Sequence, residues 1–85
     1  MALTRENVFT QVRDTIVEMF GLPIEQVTEA SRIRDDLDLD SIDMTDLTIR
    51  VKAALGGQFS QRYFNNVSTI GDVVDALYAL LTKEE

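Results

Sequence analysis

The stretch DLDLDSID, residues 36–43, is the part of the sequence around which the predicted fold is arranged. It places one serine, Ser41, among acidic residues at a predicted helix start. Asp40 is a favourable N-cap residue, and Asp43 follows three positions later, as in a capping box. The apolar periodicity then predicts a helix from Ser41 to about Leu55. Ser41 should lie in the first turn, where backbone N–H groups lack intrahelical partners and the helix dipole favours an anion by about 0.3–1 kcal/mol.

Ser41 has an ordinary interpretation as part of a helix cap, since serine is common at helix N-termini. A catalytic role is disfavoured. The chain contains neither histidine nor cysteine, and its only lysines, Lys52 and Lys83, lie in no recognisable Ser-Lys motif. We therefore predict no catalytic residue and no enzyme activity, and we interpret Ser41 either as a cap or as the substrate of another enzyme.

Calcium binding is a second interpretation of the same stretch. Asp36, Asp38 and Asp40 occupy positions one, three and five of a possible EF-hand loop. Position six requires glycine and position twelve a bidentate glutamate, but Ser41 and Leu47 stand there. A dedicated calcium sensor is disfavoured and we predict no metal site, although a divalent-ion-binding helical protein remains an alternative.

Length and composition set wider limits. Eighty-five residues, 45% hydrophobic and 27% charged, predict a single globular domain over residues 1–85. The formal net charge of −7 disfavours nucleic acid and anionic membrane surfaces as partners and favours proteins with basic patches. The chain has no cysteine, no long apolar run and no signal-peptide core, and these absences favour a cytoplasmic monomer without membrane insertion.

The remaining patterns predict an all-α fold. Thr4 can cap a first helix that runs to about Phe20 and stops at Gly21, with its core stripe at Val8, Val12, Ile16, Met19 and Phe20. A long connection over residues 22–40 should be anchored to the core by Val27, Ile33 and Leu37. The core stripe of the second helix should be Met44, Leu47, Val51, Ala54 and Leu55, with Gly56-Gly57 ending the helix.

A short third helix is predicted from Gln61 to about Asn65. The last helix should begin at a capping box of Thr69 and Asp72, and its apolar face comprises Ile70, Val73, Val74, Leu77, Leu80 and Leu81. Helices with one apolar stripe must bury it against each other. The prediction is a small four-helix bundle with three main helices, a short third helix and a long loop between helices 1 and 2.

The motif Asp40-Ser41-Ile42 resembles the acidic Asp-Ser-Leu motif at the start of the second helix of acyl carrier proteins, with isoleucine in place of leucine. The resemblance covers essentially the whole chain, through Phe20-Gly21-Leu22, Val27-Thr28, Ala30-Ser31, Asp36-Leu37 and Val67-Ser68-Thr69-Ile70. It implies the acyl-carrier type of bundle, in which a phosphopantetheinyl transferase attaches phosphopantetheine from coenzyme A to Ser41. The arm would then present acyl groups, held as thioesters, to fatty-acid, polyketide or related synthases.

The resemblance leaves alternatives open. A carrier of aminoacyl or peptidyl groups would use the same arm. A plain helical interaction domain would have no prosthetic group at all.

The second helix is the main recognition surface of the carrier family, which implies partner contacts at Asp40, Ile42, Asp43, Asp46 and Ile49. Arg50 and Lys52 depart from the family pattern, because the C-terminal half of this helix is usually strongly acidic. They either complement the helix dipole or alter the choice of partner. The sequence of residues 36–43, around Ser41, also resembles that of accessory carriers found with dedicated synthases, including those of aryl-polyene lipids.

Overall fold

The first helix begins and ends where its local chemistry requires. The computed structural model describes residues 4–55 and 67–82, and α1 spans Arg5–Phe20 within them. Thr4 Oγ1 accepts a hydrogen bond from the Asn7 N–H at 3.1 Å, which confirms the predicted cap. Gly21 ends the helix with φ 68°, a left-handed conformation in which its N–H reaches the Val17 carbonyl at 3.0 Å.

The long connection between the first two helices is tied to the core. A short 3-10 helix, Ile24–Gln26, follows Pro23. The three predicted anchors, Val27, Ile33 and Leu37, are all buried, as the sequence predicted. Leu39, which the sequence analysis did not assign, is buried as well, so apolar residues fasten this loop as far as the start of the second helix.

The second helix, α2, spans Ser41–Leu55, in agreement with the predicted bounds. Leu47 and Val51 are buried, but Ala54, predicted on the core stripe, is exposed. At 100° per residue Ala54 lies about 65° from the mean direction of the buried residues Leu47, Thr48 and Val51, where a single methyl group does not reach the core. Thr48 takes the buried place instead, and its hydroxyl donates to the Met44 carbonyl at 2.8 Å.

The third helix, α3, spans Ile70–Thr82 and begins at the predicted capping box. The Asp72 N–H donates to Thr69 Oγ1 at 3.2 Å, and the Thr69 N–H donates to Asp72 Oδ2 at 3.1 Å. Its predicted apolar face packs inward. The first four positions are buried and the last two partly buried: Ile70, Val73, Val74, Leu77, Leu80 and Leu81.

These three helices form a bundle in which α1 packs against both α2 and α3 and touches the 3-10 helix. Within residues 4–55 and 67–82 the secondary structure is helical apart from one isolated β-bridge, which confirms the all-α prediction for those residues. Two predictions fall outside the described residues: the short helix from Gln61 to about Asn65, and the helix stop at Gly56-Gly57.

Backbone hydrogen bonds join the loop to the start of α3, at what we call the loop–α3 junction, residues 29–33 and 68–72. Arg32 and Thr69 form the isolated antiparallel bridge. The Ile33 N–H donates to the Ser68 carbonyl at 2.8 Å, and the Ile70 N–H donates to the Ser31 carbonyl at 3.0 Å. Residues 67 and 68 are thereby held near the segment that leads into α2.

Arg5 braces this junction from the first turn of α1. Its guanidinium contacts Glu29 Oε1 and Asp75 Oδ1, each at 2.6 Å, and donates to the Gly71 carbonyl at 3.2 Å. The hydrogen bonds to Glu29 and Asp75 raise the pKa of Arg5 above its ordinary value. Gly71 leaves little room, since a Cβ there would lie 3.0 Å from the Glu29 carbonyl oxygen. One side chain thus links α1, the loop and α3.

Candidate functional site

The N-terminus of α2 is capped by two carboxylates. The Asp43 N–H donates to Asp40 Oδ1 at 2.9 Å, and the Asp40 N–H donates to Asp43 Oδ2 at 3.1 Å. The Asp43 N–H is the main cause that lowers the pKa of Asp40 below its ordinary value, so Asp40 is held in its charged form. The predicted capping box is confirmed, and the capping role belongs to Asp40.

Ser41 therefore does not cap the helix, which is the usual role of a serine at a helix start. It is the first residue of α2, and its side chain is exposed. Its carbonyl accepts a hydrogen bond from Thr45 Oγ1 at 2.9 Å, whereas its own hydroxyl makes no hydrogen bond within the described part of the chain. An exposed hydroxyl beside unpaired helix N–H groups is a suitable acceptor for a phosphate ester.

A tight turn sets the position of Ser41. Asp38 has φ 58°, in the left-handed region that a non-glycine residue seldom adopts. Its N–H donates to the Arg34 carbonyl at 3.1 Å, and the Leu39 N–H donates to the Ile33 carbonyl at 3.0 Å. Because the Leu39 side chain is buried, the chain is held against the core two residues before Ser41, whereas the serine side chain is exposed.

A groove of about 460 Å³ opens beside Ser41. Its size falls in the range of small-molecule sites, about 300–1,000 Å³. The described residues that line it come from the loop, the start of α2 and the approach to α3: Arg32, Ile33, Arg34, Asp35, Leu39, Asp40, Ser41, Met44, Val67 and Ser68. Its lining therefore combines apolar residues with two arginines, Arg32 and Arg34, and Ser41.

An exposed side of α2 extends away from Ser41. Ile42 is 70% exposed and Ile49 63% exposed, which are high values for large aliphatic residues. Asp46 is also exposed and lies on the same side of the helix, because residues 42, 46 and 49 follow the i, i+4, i+7 spacing. We call residues 40–43, 46 and 49 the Ser41 face. It contains all of the partner-contact residues predicted from the sequence.

The basic residues of α2 differ in their surroundings. Arg50 lies 3.9 Å from Glu18 of α1, measured between Nη1 and Oε1. Lys52 is exposed and makes no salt bridge within the described residues. A weak, exposed ion pair contributes little to stability. Neither residue is needed to hold the bundle together.

The calcium alternative finds no geometric support in residues 4–55 and 67–82, where no three acidic side chains converge as a metal site would require. Two of the three carboxylates of the candidate loop, Asp36 and Asp40, have other partners. Asp36 Oδ2 accepts the Arg32 N–H at 2.7 Å, and Asp40 caps α2. The Arg32 N–H is also the main cause that lowers the pKa of Asp36.

The groove was missing from the sequence prediction, although Ser41 itself was identified. Leu39 and Arg34 carry weak local signals at best, since both lie in an irregular loop. Val67 and Ser68 join the groove across 26 residues of chain, and only the loop–α3 junction brings them there. As a separate observation, none of the helices described here is long and apolar enough to cross a membrane.

Comparison with known proteins adds independent evidence. Residues 10–77 match the family described as the phosphopantetheine attachment site. The acyl carrier protein of Thermotoga maritima is 35% identical over 71 residues, covering 84% of this chain and 88% of the relative. Acyl carrier protein 2 of Ralstonia nicotianae is 33% identical over 79 residues, covering 93% and 98%.

A solved structure agrees with the sequence relatives. The acyl carrier protein from Enterococcus faecalis superposes with a TM-score of 0.71 at 29% identity, covering 92% of this chain and 99% of that one. The fold, the exposed serine at the start of α2 and the sequence relatives all indicate the same family. The chain belongs to the acyl carrier protein family, whose prosthetic group is a covalently attached phosphopantetheine.

Proposed function

We propose that Ser41 is the residue that carries the phosphopantetheine arm, and that the protein is a non-enzymatic carrier of acyl groups. The observation that carries this proposal is the division of labour at the start of α2. Asp40 and Asp43 satisfy the helix cap between them, and the exposed Ser41 hydroxyl has no hydrogen-bond partner among residues 4–55 and 67–82. A serine retained only for capping would accept a hydrogen bond from the helix backbone.

The chain's own residues supply attachment and presentation. In the transfer, the Ser41 oxygen bonds to the pantetheine-linked phosphorus of coenzyme A, the P–O bond of the pyrophosphate breaks, and adenosine 3′,5′-bisphosphate leaves. The hydroxyl proton passes to a base of the transferase, because this chain has no histidine or cysteine. The attached group supplies a flexible arm that ends in a thiol for acyl attachment. The buried Leu39 and the cap keep the attachment point fixed relative to α2.

Intact-mass measurement after incubation with coenzyme A and a broad-specificity phosphopantetheinyl transferase tests the assignment. We expect a gain of one phosphopantetheine group for the wild type and none for Ser41→Ala. Ser68→Ala is a matched control, because Ser68 also lines the groove, and it should load normally. A gain that persists in Ser41→Ala would overturn the site. No gain in the wild type, beside an active control carrier, would overturn the carrier function.

We further propose that partners dock on the Ser41 face, through the exposed Ile42 and Ile49 and the carboxylates of Asp40, Asp43 and Asp46. Exposed aliphatic residues beside acidic ones fit a partner surface with a small apolar pocket inside a basic patch. The phosphopantetheinyl transferase and the acyl synthases or transferases are the partners of this kind that the family implies. Arg50 and Lys52 lie toward the C-terminal end of α2 and would repel a partner whose docking surface is basic along the whole helix. They therefore favour a partner specific to this carrier.

Charge reversal tests the effect of the basic residues. With a transferase whose docking patch is basic, Lys52→Glu should raise kcat/KM for loading by about 2- to 5-fold at low salt, as expected for one exposed charge pair. The gain should shrink at high ionic strength. Arg13→Glu reverses a charge on α1 instead and should leave loading unchanged. Equal effects of the two substitutions would show that net charge alone matters.

The class of cargo and the pathway are a further proposal. We favour an acyl carrier of fatty-acid, polyketide or aryl-polyene synthesis, acting as one unit over residues 1–85 in the cytoplasm. The similarity to proteins named acyl carrier protein supports the acyl class over an aminoacyl or peptidyl carrier. Mass spectrometry of the loaded protein from its native cells tests this choice. An aminoacyl group on the arm would decide for the alternative.

A further inference from the structure

Of the basic side chains that the structure describes, two make no salt bridge. Arg5, Arg13, Arg32 and Arg50 each pair with a carboxylate, whereas Arg34 and Lys52 do not. Arg34 lines the groove beside Ser41, and Lys52 does not. The groove is therefore lined by an arginine, Arg34, that makes no salt bridge within residues 4–55 and 67–82.

The other charges of the groove are already engaged. Asp35 lies 3.5 Å from Arg32, measured between Oδ2 and Nη1, and Arg32 also lies 3.6 Å from Asp36. Asp40 accepts the Asp43 N–H in the cap. Arg34 is thus the cation that remains available to an anion entering this groove.

The backbone keeps Arg34 close to the segment that carries the serine. Its carbonyl accepts the Asp38 N–H at 3.1 Å, and the preceding residue, Ile33, accepts the Leu39 N–H at 3.0 Å. Ile33 and Leu39 are both buried, so the chain on each side of this turn is fixed to the core. Arg34 and Ser41 consequently line the same groove from positions that cannot drift apart without unfolding the turn.

Loading Ser41 with phosphopantetheine would place an anion, the phosphodiester, at the groove that Arg34 lines. A phosphodiester adds a negative charge next to the carboxylates of Asp40 and Asp43, and like charges at close range repel. We propose that Arg34 binds the phosphodiester on Ser41 and so holds the first part of the arm over the groove. This inference rests on the proposed function, since it requires Ser41 to be loaded.

Arg34 is in this view a positioning residue for the arm. Because the pair is exposed, we expect a modest bias: one ion pair of this kind changes the ratio of docked to free arm by about 1.4- to 5-fold. The contact should also weaken as salt is added, because the Debye length falls from about 10 Å at 0.1 M to about 3 Å at 1 M. A partner enzyme with its own basic groups could then lift the arm away.

Amide chemical shifts of the apo and loaded forms measure the docking directly. We would load the wild type, Arg34→Gln, Arg34→Lys and the matched control Lys52→Gln to completion with excess transferase, and verify each by intact mass. The readout is the shift that loading causes at groove residues Ile33, Leu39, Met44 and Val67, at low and high salt. The unfolding midpoint of each apo variant checks that the fold is intact.

We expect Arg34→Gln to reduce the loading-induced shifts at the groove, by up to about 5-fold, Arg34→Lys to retain most of them, and Lys52→Gln to match the wild type. High salt should bring the wild type toward Arg34→Gln. Equal shifts in Arg34→Gln and wild type, with both proteins loaded, would overturn this inference alone. Failure of the wild type to load would overturn the proposed function and this inference together.

Discussion

Two serines ten residues apart occupy opposite environments. Ser31, in the loop–α3 junction, is 7% exposed; its hydroxyl donates to the Gln26 carbonyl at 2.6 Å and accepts the Thr28 N–H at 2.9 Å. Ser41 is exposed, and its hydroxyl has no hydrogen bond within the described residues. One hydroxyl is fully used by the fold, whereas the other is left for chemistry.

Two isoleucines repeat the contrast. Ile70, in the junction, is 0% exposed, and Ile42, next to Ser41, is 70% exposed. A buried group is explained by what it stabilises, but an exposed aliphatic side chain contributes almost nothing to the free energy of unfolding. The junction is therefore the structural region of the molecule, and the Ser41 face is the region that the fold leaves open for partners.

The largest effect should separate the two isoleucines. Ile70→Ala should lower the free energy of unfolding by about 2–5 kcal/mol, because it leaves a cavity in the core. Ile42→Ala should change it by less than about 0.5 kcal/mol while slowing loading by the transferase. Urea denaturation and loading kinetics measure the two effects. If Ile70→Ala does not fold, Ile70→Val provides the comparison, with an expected loss of about 0.5–1.5 kcal/mol.

Replacing the buried serine should lower the stability of the protein more than replacing the exposed one. Ser31→Ala leaves the Thr28 N–H and the Gln26 carbonyl without their partner, and a buried unsatisfied group costs about 1–3 kcal/mol. Ser41→Ala removes no internal hydrogen bond, so it should change stability by less than about 0.5 kcal/mol. Denaturation midpoints of the two apo variants are the measurement. A large loss in Ser41→Ala would mean that the hydroxyl has a structural role after all.

Asp38 connects the two regions, and its left-handed backbone stores strain. Asp38→Gly should raise the free energy of unfolding by up to about 1 kcal/mol, because glycine adopts φ 58° without steric conflict. Asp38→Ala should lower it by a similar amount, because alanine lacks aspartate's tolerance of this conformation. Thermal unfolding of the pair supplies the test. The same sign for both substitutions would remove backbone strain as the cause.

Acid should weaken both regions through their caps. The N–H groups of Ser68 and Thr69 lower the pKa of Asp72 from its ordinary value of 3.8, and the Asp43 N–H lowers that of Asp40. A depressed folded-state pKa stabilises the protein above the unfolded-state pKa, and this contribution is lost as the pH falls below about 4 through the folded-state value. Denaturation between pH 5 and pH 2 should show this loss.

Asparagine variants identify the source of the acid sensitivity. Asp72→Asn should flatten the acid limb, and adding Asp40→Asn should flatten it further, because each substitution removes one titrating cap. An unchanged acid limb in the double variant would assign the loss of stability to other carboxylates.

Local chemistry made much of this molecule predictable. The caps at Thr4, Asp40 and Thr69 each depend on residues three positions apart, which any reader of the sequence can pair. The stop at Gly21 is equally local. Ser41 could be singled out for a related reason: the first turn of a helix has free N–H groups whatever the helix packs against. The prediction that it bears the arm still awaits the loading experiment.

Predictions that depended on packing were less complete. Ala54 satisfied the helical period but lies at the edge of the stripe, and Thr48 is buried although the sequence analysis did not place it on the stripe. The period of a helix defines a face only to within one residue position, and the neighbouring helix decides which edge of that face is covered. Leu39 was missed because an irregular loop has no period to read.

The sequence by itself determined the three described helices, their caps and the acidic surroundings of Ser41, because these follow from contacts within about four residues of chain. Only the tertiary structure decided the groove, since Val67 and Ser68 reach Ser41 through hydrogen bonds between the loop and the start of α3. It also decided that Arg34 lines this groove together with Val67 and Ser68. Such a groove depends on distances between remote segments, and those distances exist only once the core has packed.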